Sequence, residues 1–242
     1  MLQGLYSAAA GMSAQQTRMD AVSHDLANTS TPGYKQERVA FRDLLYVRDG
    51  VEGVRAGSGS AAATIGRGTS QGALQATGRS LDVAITGAGY LQVTRPDGSS
   101  ALTRAGVLQV DASGRLVTPS GDRLDGVGPL PAGTDVDKLG IGDDGTVRTA
   151  DGTEVGRLRL VNVTAPDLMR PVGDNLFAPT AESGAPTVTG NARLVQGHLE
   201  ASAVNVADAM TDLIESQRAF AMASRAVQTQ DQMLEIANGV KR

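Results

Sequence analysis

An α+β protein is predicted by two features of the sequence. Both ends carry long amphipathic stretches with heptad spacing, and the region between them holds short alternating strands separated by Asp-Gly and Ser-Gly turns. In this reading the N- and C-terminal helices pair as a coiled-coil-like domain, formed by residues 1–46 and 200–242. Residues 47–73 form a Gly/Ser/Ala-rich extended connection, and residues 74–199 form a central all-β domain of short antiparallel strands.

The C-terminal stretch organises the chain. Stepping four and then three from Val206 gives Met210, Leu213, Gln217, Phe220, Ser224, Val227, Asp231 and Leu234. That is a heptad-like seam on a helix free of proline, with a polar residue recurring at one position. The N-terminus repeats the pattern. Leu5, Met12, Met19 and Leu26 stand seven apart, with Ala8, Gln15 and Val22 between them. Asn28-Thr29-Ser30-Thr31-Pro32-Gly33 ends this helix, because proline cannot continue it and glycine permits a turn. The candidate assembly interface is therefore Leu5, Met12, Met19, Leu26, Met210, Leu213, Phe220, Val227 and Leu234. The first stretch has no basic leader and no long apolar run, and Gln15, Gln16, Arg18 and Asp20 interrupt it, so neither a signal peptide nor a membrane anchor is expected.

Tyr34 to Tyr46 mixes apolar and charged residues without a clean period, which fits an extended arm or a short helix. Asp49 to Gly72 is dominated by glycine, serine and alanine and reads as a loosely extended connection. Gly66-Arg67-Gly68 within it lacks the Gly-Lys-Ser/Thr ending of a phosphate loop. Beyond it, 81–85 and 90–94 alternate as strands, 107–110 and 115–117 form the arms of a hairpin, and 158–163 closes the region. Asp97-Gly98, Ser113-Gly114, Ser120-Gly121, Asp144-Gly145 and Asp151-Gly152 mark the tight turns. Such turns also concentrate aspartates, but Asp143-Asp144-Gly145 lacks the alternating ligands and terminal glutamate of a calcium loop. A short strand is expected at Asn175-Leu176-Phe177.

Composition narrows the function. There is no cysteine and no tryptophan, so neither a disulfide framework nor a thiolate metal site exists. A net charge of −4 and a pI near 5.2 argue against nucleic acid as the main partner. No run of twenty apolar residues is present, and no membrane insertion is expected. The two histidines, His24 and His198, show no spacing that defines a catalytic set. No catalytic residue, metal or cofactor is assigned.

Both ends also resemble the bacterial flagellar rod and hook axial proteins. The N-terminal likeness lies in SAAAGMSAQQTRMDAVSHDLANTSTPGYK, residues 7–35, with His24 and Asp25 standing where the family usually has an asparagine pair. The C-terminal likeness lies in residues 199–234, above all Ser216-Gln217-Arg218-Ala219-Phe220 and Thr229-Gln230-Asp231-Gln232-Met233-Leu234. Residues 77–98 and Gly156-Arg157-Leu158-Arg159-Leu160 resemble the family's β-domain. The resemblance implies a structural subunit of the rod, in the basal body outside the cytoplasmic membrane; it leans toward the distal rod subunit, while Thr31-Pro32-Gly33-Tyr34-Lys35 also suits a proximal one. It implies export through the flagellar export apparatus and a helical homo-oligomer that meets other rod and hook axial proteins. The terminal helices would line an inner tube and the β-domain would pack outside it. A hook-type axial protein, or an extracellular binding module displayed on a coiled coil, are the alternatives.

Overall fold

The computed structural model describes residues 2–44, 46–48, 55–57 and 59–239. It divides into two compact units. One is built from residues 1–27, 37–66 and 205–242, the other from 28–36 and 67–204.

The first unit holds helix α1 (Leu2–Ala27) and helix α2 (Val206–Gly239). The 34 residues of α2 make a rod about 51 Å long at 1.5 Å per residue. Asn205 starts it, because its Oδ1 accepts the Ala207 N–H at 3.0 Å and its carbonyl accepts the Ala209 N–H. The segment read as an arm or short helix is a strand, Glu37–Asp43, and it pairs with Ser60–Arg67. Tyr46–Arg48 pairs antiparallel with Arg55–Gly57. The stretch expected as a loose connection is thus partly strand, while its residues 49–54 and 58 lie outside the described residues. Its small residues serve close packing. A Cβ on Gly59 would meet the Ser7 carbonyl at 2.9 Å and the Ala10 side chain at 3.0 Å. Asp25, in the last turn of α1, is buried and accepts the Glu37 N–H at 3.0 Å, which ties the strand to the helix.

The second unit is antiparallel β throughout its paired strands. Its main sheet runs in the order Arg170–Gly173, Leu176–Ala178, Ser100–Thr103, Tyr90–Thr94, Arg123–Leu124, Leu116–Val117 and Gln109–Val110. Leu160–Asn162 pairs with Tyr90–Thr94 and also with Thr187–Val188. The central strand Tyr90–Thr94 shows why both faces are covered. Its alternation sends Leu91 and Val93 into one buried cluster, with Val83, Ile85, Leu108 and Leu158, and Tyr90 into another, with Leu102, Val161 and Phe177. Each fully buried aliphatic side chain here contributes about 1.5–3 kcal/mol. Gly140–Ile141, Thr146–Arg148 and Glu154–Arg157 form a smaller sheet. The last strands bend at Gly197, so that Arg193–Gln196 pairs with Val83–Thr86 while His198–Glu200 pairs with Leu74–Ala76.

The expected turns occur at the expected dipeptides, and Gly98, Gly114, Gly121, Gly145 and Gly152 all have positive φ. The aspartates at these turns fasten them. Asp97 Oδ1 accepts the Ser99 N–H and hydroxyl, Asp111 Oδ1 accepts the N–H groups of Ser113 and Arg115, and Asp144 accepts the Thr146 N–H and hydroxyl.

These bonds hold the three carboxyls below the ordinary value of 3.8. The leading cause is the Ser99 hydroxyl for Asp97, the Arg115 N–H for Asp111 and the Thr146 N–H for Asp144. A depressed carboxyl contributes stability that is complete above 3.8 and lost as pH falls through the folded-state value. Calorimetry of the wild type should therefore show Tm falling below about pH 3.8. Asp111→Asn should fall less steeply there; an identical slope would mean that the turn carboxylates do not set acid stability.

Candidate functional site

The two terminal helices form one candidate surface. They run antiparallel, since Arg18 Nη2 meets Asp212 Oδ1 at 2.6 Å while Gly4 lies against the Gln230 side chain. Arg18 also reaches Glu215 at 3.8 Å. These groups are partly exposed, so such an ion pair sets register more than stability, at about 0–1 kcal/mol.

The seam between the helices differs from the sequence reading in one layer. Leu213, Phe220, Val227 and Leu234 are half-buried along α2, and so are Leu5, Met12, Met19 and Leu26 on α1. The alternate layer, however, is Ala209, Ser216, Ala223 and Gln230, one residue earlier than Met210, Gln217, Ser224 and Asp231. Ala209 and Ser216 are buried, whereas Met210, Gln217 and Asp231 are exposed. Small side chains let the helices approach, and Ser216 meets its polar need within the helix by donating to the Asp212 carbonyl at 2.7 Å. The signal in the sequence was a heptad of small residues beginning at Ala209 rather than the apolar one beginning at Val206. A second stripe on α1 starts with Ser7 and Ala10 against Gly59 and continues to the buried Ala14 and Ala21. On the outer surfaces Tyr6, Val206, Met210, Ile214, Met222, Met233 and Ile236 are exposed.

The other site lies within the β unit and involves the segment Thr31-Pro32-Gly33-Tyr34-Lys35. Lys35, Arg104 and Glu200 are all nearly inaccessible, at 2%, 4% and 1% exposed. Glu200 Oε1 accepts from Lys35 Nζ at 2.6 Å and from the Gly72 N–H at 2.9 Å, and Oε2 accepts from Arg104 Nε at 2.9 Å. Lys35 also donates to the Ser70 carbonyl, and Arg104 Nη2 donates to the carbonyls of Ile85 and Gly87. Burial pushes the Lys35 ammonium below the ordinary lysine value. The hydrogen bond and charge of Glu200 pull it partly back, and the neighbouring Arg104 adds to the depression.

The backbone is laced around the same point. Gly33 N–H donates to the Glu200 carbonyl at 2.8 Å and Ala203 N–H to the Tyr34 carbonyl at 3.0 Å. Gly33 is obligatory, because its φ is +69° and a Cβ would stand 2.7 Å from the Arg104 carbonyl group. Asn175 Nδ2 donates to the Pro32 carbonyl at 2.9 Å. Arg67, the centre of Gly66-Arg67-Gly68, lies over the rings of Tyr34 and Phe177, 5.3 and 5.7 Å from their centroids. Its role is packing rather than phosphate binding. His198 sits in its strand with Nδ1 at 2.9 Å from the Gln196 carbonyl. Sequence spacing could not bring Lys35, Arg104 and Glu200 together, since the contacts span 165 and 96 residues.

In sequence the chain begins and ends with a long helix and carries an antiparallel β unit between them, with a buried fastening at the Thr-Pro-Gly-Tyr-Lys segment. Residues 5–35 match the family "Flagella basal body rod protein". Residues 84–149 match "Flagellar hook protein FlgE/F/G D1 domain", and 195–240 match "Flagellar basal body rod FlgEFG protein C-terminal". The chain is similar to the flagellar basal-body rod protein FlgG of Agrobacterium fabrum, at 36% identity over 98% of both chains. It is 35% identical to that of Borreliella burgdorferi and 33% identical to that of Bacillus subtilis, each over 100% of both chains. The chain belongs to the flagellar basal-body rod protein family. It is a structural subunit of the rod, in the extracytoplasmic part of the basal body. The family is a structural one, and a free-standing binding module is not favoured. Among the described residues no helix is long and apolar enough to cross a membrane.

Two outcomes follow from this geometry. Ser216→Phe should overpack the helix seam and lower stability by about 1–3 kcal/mol, while Gln217→Leu at the neighbouring exposed position should leave the melt within about 0.5 kcal/mol of wild type. Equal effects in thermal melts would return the seam to the register through Gln217. Glu200→Gln removes the one carboxylate shared by two buried cations and should cost about 3–5 kcal/mol in urea unfolding. Arg18→Ala serves as the comparison and should cost about 0–1 kcal/mol.

Proposed function

We propose that this rod subunit assembles with further copies of itself, and with other axial proteins of the rod and hook, through the outer faces of α1 and α2. The growing helical shaft then carries torque from motor to hook. The observation that carries this reading is the unfinished core of the helix unit. Among the described residues of α1 and α2 the buried apolar ones are the small Ala14, Ala21, Val22 and Ala209, while Met210, Ile214 and Ile236 are 50%, 50% and 67% exposed. The β unit, by contrast, encloses its leucines and valines in closed clusters. Apolar surface left on long helices is removed from water when neighbouring copies supply the missing side. A head-to-tail contact that does not close on itself builds a helical filament, which is the symmetry of a shaft.

The candidate interface residues have two roles in this proposal. Leu5, Met12, Met19, Leu26, Leu213, Phe220, Val227 and Leu234 hold the two helices of one chain in a coiled-coil-like pair, and Met210 faces outward to a neighbour with Ile214. The thin intrachain seam implies that the helices gain order on assembly. Ordering a backbone residue costs about 1–2 kcal/mol, and half-buried side chains return only part of the roughly 1.5–3 kcal/mol of full burial.

Replacing the outward residues tests the proposal without disturbing the seam. Met210→Asp with Ile214→Asp should abolish rod assembly and motility while the far-ultraviolet circular dichroism and β-unit melt of the monomer stay unchanged. Normal rods from that double variant would overturn the proposed interface. Amide exchange adds a second readout: α1 and α2 should be weakly protected in the monomer and strongly protected in the assembled shaft.

A further inference from the structure

The buried cation pair around Glu200 leaves binding capacity unused. One carboxylate serves both Lys35 and Arg104. Arg104 has five N–H donors. Three of them are taken, by Glu200 Oε2 and by the carbonyls of Ile85 and Gly87. The two on Nη1 have no partner among the described residues. The guanidinium carbon lies over the Tyr90 ring, 5.7 Å from its centroid. Arg104 also lines a small cavity of about 140 Å³, with Tyr90 and Gly89 buried at its floor and Thr69, Gln71 and Ala88 exposed at its rim. The space suits a small group and not a cofactor.

We propose that this cavity binds a carboxylate, held by the N–H groups on Arg104 Nη1. A carboxylate oxygen accepts a charge-assisted hydrogen bond from a guanidinium N–H. It would also balance a cluster in which two cations share a single anion. In the shaft the carboxylate comes from an acidic side chain of an adjacent copy; in solution a small free carboxylate takes its place. The adjacent-copy source rests on the assembly reading above, whereas binding of the free anion does not. Burial chiefly raises the pKa of the Tyr90 hydroxyl, and the negative charge of Asp167, next in sequence to the lining residue Pro166, adds to it. That charge opposes a second anion nearby.

Acetate is the probe, titrated into the soluble full-length protein against chloride at equal ionic strength. Acetate should raise Tm saturably by about 2–4 °C over chloride, with a saturable shift of the Arg104 Nε–H signal in nitrogen-15 NMR. Ala88→Glu places a carboxylate of the same chain at the rim and should abolish both responses. Asp167→Asn should strengthen them by lowering the acetate concentration at half-saturation. Equal effects of acetate and chloride, or equal responses in wild type and Ala88→Glu, would overturn the proposal. The source is then decided in cells. If Ala88→Glu binds no acetate and also blocks rod assembly, an adjacent copy supplies the carboxylate. If it assembles normally, the site takes a free anion and the assembly reading stands untouched.

Discussion

The β unit depends on one carboxylate. Glu200 is the meeting point of three stretches far apart in the chain: the turn from Thr31 to Lys35, the strand ends near Gly72 and the arginine after Ser100–Thr103. Its side chain neutralises two buried cations and its backbone carbonyl receives the Gly33 N–H. A lone charge at such depth would cost several kcal/mol of lost hydration. The cluster therefore forms with all its members or becomes a liability, and that gives the segment a single geometry rather than extra stability.

The helix unit follows a different rule. Its seam alternates half-buried leucine, methionine, phenylalanine and valine with a layer of alanine and serine, while other large apolar groups, Met210 and Ile214 among them, are exposed. Small residues let helices come close but bury little area, so most of the stability of the helix pair rests on its half-buried larger side chains. The β unit has a closed core, whereas the helix unit leaves large apolar side chains exposed. The short strand pairs between residues 37 and 67 add a second layer on α1, and Gly59 is there because the helix backbone comes too close for a side chain.

Much of this was legible in the residues alone. The helices followed from period, and Pro32 and Gly33 mark the stop of the first; the Asn205 cap that starts the second came from the structure. The strands at Tyr90–Thr94 and Leu176–Ala178 were visible because alternation and Asp-Gly turns are local signals. The register of the Met210 layer was not. Heptad counting rewards apolar residues, and the packed seam instead favoured Ala209 and Ser216, since close approach of helix backbones needs small side chains. The strand Ser60–Arg67 was also hidden, because glycine- and alanine-rich sequence reads as a linker unless the surface it packs against is known.

The sequence by itself determined the α+β class, the family and the two terminal helices, because periodicity, helix breakers and turn chemistry act between residues a few positions apart. Only the tertiary structure decided which helix faces meet and that Asp25 ties the Glu37 N–H. It alone joined Lys35, Arg104 and Glu200 into one buried cluster. Those choices depend on burial and on contacts between residues up to two hundred positions apart. Charges that look solvated in a linear reading become the centre of the fold when three chain segments remove their water together.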